Sequence, residues 1–214
     1  MKRILIIFIA LGLSINTNAQ CVGKGSILID GYYGFPNFFG FIFKTAYNRA
    51  YPNGINVSSS SLGPVGGKAE YMLTDNLGLG LDFNYSNASI TFSKIDTTAF
   101  INGSVVTQTH HYTLTTPAMR VMFGANWHFV RTNKVDVYAA VKVGYYNRNL
   151  SITTDDPNSS ISSISINLND PFAFRVEMGM RYFFTENFGA HAMIGVSGGP
   201  LVAVGISGKF GTAK

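Results

Sequence analysis

The sequence predicts an all-β chain, a transmembrane antiparallel up-and-down β-barrel of eight strands with short periplasmic turns and longer extracellular loops. Three observations predict it. Apolar and polar residues alternate along eight segments. The connections between them alternate between tight and long. Outward aromatic residues sort into two levels along the strands.

Alternation is the primary signal, because successive side chains of a strand point to opposite faces. "SILIDGYY" sets Ile27, Ile29 and Tyr33 against Leu28, Asp30 and Tyr32. "GPVGGKAEYML" sets Val65, Ala69, Tyr71 and Leu73 against Gly66, Lys68, Glu70 and Met72. "LGLGLDFNYS" follows, with Leu77, Leu79, Leu81, Phe83 and Tyr85 opposing Gly78, Gly80, Asp82, Asn84 and Ser86. In "AMRVMFGANWHF", Met119, Val121, Phe123, Ala125, Trp127 and Phe129 oppose Arg120, Met122, Gly124, Asn126 and His128. In "VDVYAAVKVGYYNR", Val135, Val137, Ala139, Val141, Val143 and Tyr145 oppose Asp136, Tyr138, Lys142, Gly144 and Arg148. The clearest case runs from Phe172 to Phe184. There Phe172, Phe174, Val176, Met178, Met180, Tyr182 and Phe184 oppose Ala173, Arg175, Glu177, Gly179 and Arg181. "FGAHAMIGV" places His191 on its polar face, and "LVAVGISGKF" places Ser207 and Lys209 there.

In a soluble sheet the apolar face would meet a core. In a membrane barrel the roles invert, with apolar residues on lipid and charges inside. The connections favour the second case. "TDN", "RTNK" and "TEN" are tight polar turns, while 34–62, 88–108 and 150–170 are long stretches; the "SGGP" at 197–200 is the one tight connection on the long-loop side. Outward Tyr71, Trp127, Phe129, Tyr182, Phe184, Phe188 and Phe210 fall beside the short turns. Outward Tyr33, Phe83, Tyr85, Tyr145 and Phe172 fall near the long loops. Two aromatic levels bounding a band of Val, Leu, Met and Ala are expected at the two lipid–water interfaces. Pro64 and Pro117 stand at strand starts, so they belong at the outer rim or at bulges, since proline cannot donate to a ladder.

With 214 residues, 13% charged and 14% aromatic, the chain fits one folded domain and not a disordered one. Lys2 and Arg3 followed by the apolar run Ile4 to Leu13 and a polar, small-residue stretch read as a signal peptide over 1–19, leaving a barrel domain over 20–214. No later segment reaches about 18 consecutive apolar residues, so spanning requires a closed barrel. The net charge of +5, lowered by two on loss of Lys2 and Arg3, is too mild to suggest nucleic acid. Cys21 is the only cysteine, so no internal disulfide forms. It stands where a lipoprotein cysteine would stand, but Gln20 replaces the small residue expected before it; the plain reading is a thiol near a mobile mature terminus.

Inward positions collect Lys68, Arg120, Lys142, Arg148, Arg175, Arg181 and Lys209 against Asp30, Glu70, Asp82, Asp136 and Glu177. Eight strands leave an interior only wide enough for side chains, so these charges are expected to pair into an ionic plug, with inward glycines making room. A gated narrow pore is the alternative. Four histidines invite a catalytic or metal reading. His110 and His111 are adjacent and point to opposite faces. His128 and His191 face inward; Ser207 could approach His191 from the neighbouring strand, without a triad geometry. Phosphate-loop and zinc spacings are absent, so no catalytic residue, cofactor or metal is expected. Phe38, Phe39, Phe41, Ile42 and Phe43 make the first long loop too apolar for free solvent; an interfacial helix, an extra hairpin or an apolar-ligand site would each account for it.

"GYYGFPN", "YMLTDNLGLGLDFNY", "GANWHF" and "GMRYFFTENFGAHAMIGVSGGPLVAVGISGKF" resemble the eight-stranded outer-membrane β-barrel proteins of Gram-negative bacteria, the OmpA/OmpW-like barrels. The resemblance implies the bacterial outer membrane, contact with its lipid, insertion by the barrel-assembly machinery and a monomer. It is functionally mixed, so activity must come from the site. A structural or interaction role is expected. The alternatives are a narrow channel or binding site for small hydrophobic molecules, a lipid-modifying barrel enzyme, and a soluble lipocalin-like barrel, which would need its apolar faces inward.

Overall fold

A computed structural model of the chain describes residues 21–36, 45, 49, 57–101, 104–157, 159 and 163–211. The expected signal peptide and the apolar part of the first loop, Phe38 to Phe43, lie outside them. Among the described residues nine strands are formed: β1 (Ile27–Phe35), β2 (Val57–Met72), β3 (Leu77–Ile101), β4 (Ser104–Thr115), β5 (Ala118–Arg131), β6 (Val135–Thr154), β7 (Ser163–Phe183), β8 (Phe188–Val196) and β9 (Val202–Phe210). All pairings are antiparallel.

The ring contains eight strand positions, because β4 and β5 lie end to end along β3. β3 pairs Ser86 with Ala118 of β5 and Ser89 with Thr115 of β4, and only Thr116 and Pro117 separate the two partners. Pro117 thus interrupts one long strand at the rim. Pro64 sits at a bulge of β2 between Leu62 and Val65. Closure comes from β1 on β9, pairing Ile27 with Phe210 and Tyr33 with Val204. β1 also pairs directly with β2, Ile27 with Tyr71, so the first loop inserts no strand between them.

The long stretches 88–108 and 150–170 differ from the expected loops. β3 and β4 continue as a paired hairpin to Ile101 and Ser104, and β6 and β7 to Thr153 and Ser163. The reason is local. "SITFSKIDTT" is rich in β-branched and aromatic residues, which suit a pleated surface. Above the membrane neither face has to be apolar, so the two-fold hydropathy pattern fades while the ladder continues. The serines at 58–61 and "NLND" at 167–170 belong to strands for the same reason.

Burial is inverted relative to a soluble domain. Leu81, Phe123, Val141 and Ile206 on the outer face are more than half exposed, whereas Arg175 and Arg181 are among the most buried side chains. So much contiguous apolar surface is incompatible with water. The lipocalin-like alternative is excluded, because the apolar faces point outward. Among the described residues no helix is long and apolar enough to cross a membrane.

Candidate functional site

The interior is filled by one polar network in two tiers. In the lower tier, toward the short turns, Arg181 of β7 is the centre. Its guanidinium donates to Asp30 of β1, to Glu70 of β2 at 2.8 Å and to Asp136 of β6 at 2.9 Å. His128 of β5 links two of these acids, with Nδ1 2.7 Å from Asp136 and Nε2 2.7 Å from Glu70. Both ring nitrogens face carboxylate oxygens, which can only accept, so the geometry is that of an imidazolium. Ser207 of β9 donates to Asp30 Oδ1 at 2.6 Å.

The upper tier is centred on Glu177 of β7. Its carboxylate accepts from Lys68 of β2, from Lys142 of β6 at 2.7 Å and from Arg175 Nε at 2.6 Å. Lys142 also donates to Asp82 of β3 at 2.6 Å, and the Tyr32 hydroxyl donates to the other Asp82 oxygen at 2.7 Å. Tyr138 joins the tiers. Its ring lies 4.5 Å from the Arg181 guanidinium, and its hydroxyl accepts from Lys68 at 3.2 Å and meets His191 Nε2 at 2.8 Å.

Strand alternation puts these residues inside, and small neighbours make the fit possible. A side chain at Gly179 would collide with the Tyr138 ring, and one at Gly195 with the Arg175 guanidinium. Counting His128 as a cation, five carboxylates face five positive groups in the network. Such balance is required, since an uncompensated buried charge costs several kcal/mol, on the order of 3–5.

Both ends of the lumen are closed differently. At the lower end Cys21 and Val22 pack with Leu28, Met72 and Phe183. The Cys21 amide donates to the Thr132 carbonyl at 2.8 Å. Cys21 is therefore a packed residue, against the mobile terminus expected from sequence. At the upper end Arg175 donates to the carbonyls of Ser197 and Pro200, both at 3.0 Å, and fixes the β8–β9 turn.

Of the inward ionic residues expected to pair, Asp30, Lys68, Glu70, Asp82, Lys142, Arg175, Glu177 and Arg181 lie in the network. Arg120 and Lys209 do not. Arg120 lies above it, donating to Asn84 Oδ1 at 3.2 Å. Lys209 lies below it, donating to the Cys21 carbonyl at 2.9 Å. Ser207 donates its hydroxyl hydrogen bond to the Asp30 carboxylate and not to His191, whose Nε2 meets the Tyr138 hydroxyl. The junction role of Tyr138 was not foreseen; its inward parity was the only sequence signal. Tyr71, Trp127, Phe129, Tyr182, Phe184, Phe188 and Phe210 are all exposed on the outer face beside the short turns. His110 is buried on β4, 3.7 Å from Asp155, while His111 points outward to Ser93. Among the described residues no cluster of His, Cys, Asp and Glu could hold a metal.

Residues 9–197 match the family described as outer membrane protein beta-barrel domain. The chain belongs to that family. Outer membrane protein β-barrel membership implies the bacterial outer membrane, as the inverted burial requires a lipid surround. The fold is also similar to solved barrels at low identity. The N-terminal β-barrel domain of Pseudomonas aeruginosa OprF shares 19% identity over 88% of this chain and 99% of that one, with a TM-score of 0.42. OprG from Pseudomonas aeruginosa shares 12% over 91% and 100%, with a TM-score of 0.48. Ail, the attachment invasion locus protein of Yersinia pestis, shares 13% over 87% and 99%, with a TM-score of 0.43. No curated protein sequence matches the chain.

Proposed function

We propose that this barrel has a structural or interaction role, with a lumen sealed by its ionic network and with function carried by the extracellular hairpins. The observation that carries this reading is the two-tier network: charges from β1, β2, β3, β6 and β7 meet across the axis with almost no solvent exposure. A general diffusion pore needs a wet interior, and eight strands do not enclose one once side chains fill it. Catalysis has no support in the lumen, where Ser207 and His191 are each engaged elsewhere. The chain is exported by cleavage of residues 1–19, inserted by the barrel-assembly machinery and surrounded by outer-membrane lipid as a monomer.

The β3–β4 and β6–β7 hairpins rise well beyond the lipid band and meet through β4–β6 pairs from Tyr112 and Thr154 to Thr115 and Ser151. That linked pair of hairpins is the surface on which an extracellular partner would act. The test combines fractionation with liposome swelling. The protein should appear in the outer-membrane fraction, migrate differently on gels before and after heating, and admit no small sugars into liposomes. Recovery as a detergent-free soluble monomer, or rapid swelling, would reject the reading.

A further inference from the structure

The extracellular hairpins form one sheet in the order β3, β4, β6, β7. β7 ends that sheet. β8 reaches β7 only at Val176, opposite Val196, so above that level β7 pairs with β6 on one side and, among the described residues, with no strand on the other. Every residue from 163 to 168 is exposed, Ile164, Ile166 and Leu168 included. The ladder fixes which backbone groups face the open side. The Asn149 amide donates to the Pro117 carbonyl and the Asp155 amide to the His111 carbonyl, both away from β7. In an antiparallel ladder the N–H and C=O of one residue point to the same side, and successive residues alternate. Asn149, Ser151 and Thr153 therefore turn away from β7, while Arg148, Leu150 and Ile152 bond to it. Their register partners Leu168, Ile166 and Ile164 are engaged, and Ser163, Ser165 and Asn167 aim their N–H and C=O groups at the open edge.

Sheet edges are commonly blunted by charge, proline, a bulge or a cover. Between 163 and 168 there is no charged residue and no proline, and the β6–β7 register shift lies lower, between Gly144 and Tyr146. Beside the edge an apolar row is left unfinished on one face. Leu114 of β4 pairs with Ile152 of β6, Ile152 with Ile164 of β7, and Leu150 with Ile166. One more strand would extend the hydrogen-bonded ladder and this row together. A second copy in the same membrane raises its β7 in the same direction, so it cannot meet this edge antiparallel, the sense of every pairing in the sheet. We propose that residues 163–168 of β7 are a docking edge, which takes an extended segment of another extracellular polypeptide by antiparallel strand addition. That segment is uncharged where it meets the edge and alternates apolar with polar residues, its apolar side continuing the row of Ile164 and Ile166. The docking edge rests on the proposed interaction role of the hairpins and names how they engage a partner.

The test uses the purified full chain in nanodiscs. The probe is a blocked peptide of about ten residues that alternates Val and Thr, with a lysine at each end for solubility. Backbone hydrogen exchange is followed by NMR. Without peptide, the amides of Ser163, Ser165 and Asn167 should exchange rapidly and those of Ile164, Ile166 and Leu168 slowly. Saturating peptide should slow the first set by about tenfold or more. Ser165→Pro removes an edge donor without touching the β6 ladder, and peptide affinity should fall by about tenfold or more. Ile166→Lys, a charge on the apolar row, should also weaken binding. Thr153→Lys, exposed on the neighbouring interior strand, should change nothing. The wild-type exchange pattern gives the reading if Ser165→Pro does not assemble. No saturable binding by the wild type, equal binding by wild type and Ser165→Pro, or bound peptide that leaves Ser163, Ser165 and Asn167 unprotected would overturn the docking edge. Protection of these amides without peptide, lost when each nanodisc holds one copy, would assign the edge to a second copy and overturn it too. The interaction role of the barrel is tested apart from this, by fractionation and swelling.

Discussion

Arg181 of β7 and Asp30 of β1 meet across the barrel axis, with Nε 3.0 Å from Oδ1 and a terminal nitrogen 2.7 Å from Oδ2. β8 and β9 separate their strands in the ring. The pair is therefore a strut across the lumen, and Glu70 and Asp136 share the same guanidinium.

Arg181→Gln should leave three carboxylates facing one another with only His128 between two of them. Loss of one partner of a buried ion pair costs about 3–5 kcal/mol. Urea unfolding in lipid vesicles should show a loss of this size. A loss matching a surface control such as Lys24→Gln would mean that water already screens the strut.

Glu177→Gln should act on the upper tier. It removes the only carboxylate that meets Lys68 and Arg175 among the described residues. The under-compensated cations should destabilise the barrel or open a small anion-preferring leak. Val176→Leu, on the adjacent outward position, should do neither. Identical unfolding curves and conductance for the two variants would point to a wet channel.

Lipid-face substitutions should depend on depth. Val141 is exposed in mid-strand, while Val135 begins β6 beside a short turn. Val141→Arg should cost about 2–4 kcal/mol and Val135→Arg about 0–1, following the midplane and interface penalties. Equal costs would move the apolar band from its assigned height.

Cys21 should be chemically silent in the folded protein. Burial first, and the Asp136 carboxylate second, push its thiol up to about 12. Near neutral pH it is almost wholly protonated, and the thiolate is the reactive form. A maleimide reagent should label it slowly in vesicles and rapidly in urea. Rapid labelling of the assembled barrel would show that the lower closure opens.

The membrane-spanning part was legible because one rule governs it. Each residue between the girdles faces either lipid or lumen, so parity alone places Arg175, Glu177 and Arg181 inside and Val176, Met178 and Met180 outside. The extracellular hairpins were not legible as strands. From Ala88 to Gln108 neither face has to be apolar, and the hydropathy period vanishes while the hydrogen bonds persist. Partner choice inside the lumen was also hidden. Parity puts Arg120 and Lys209 inward, but height along the strand removes them from the network, and height depends on register and tilt. Tyr138 as the junction follows from neither composition nor spacing, only from the space left opposite Gly179.

Ion conductance across a planar bilayer tests the sealed lumen most directly. With wild-type protein the account predicts no steady current at neutral pH, and a current that emerges in Glu177→Gln with a preference for anions. A stable ohmic conductance in the wild type, unchanged by Glu177→Gln, would contradict it.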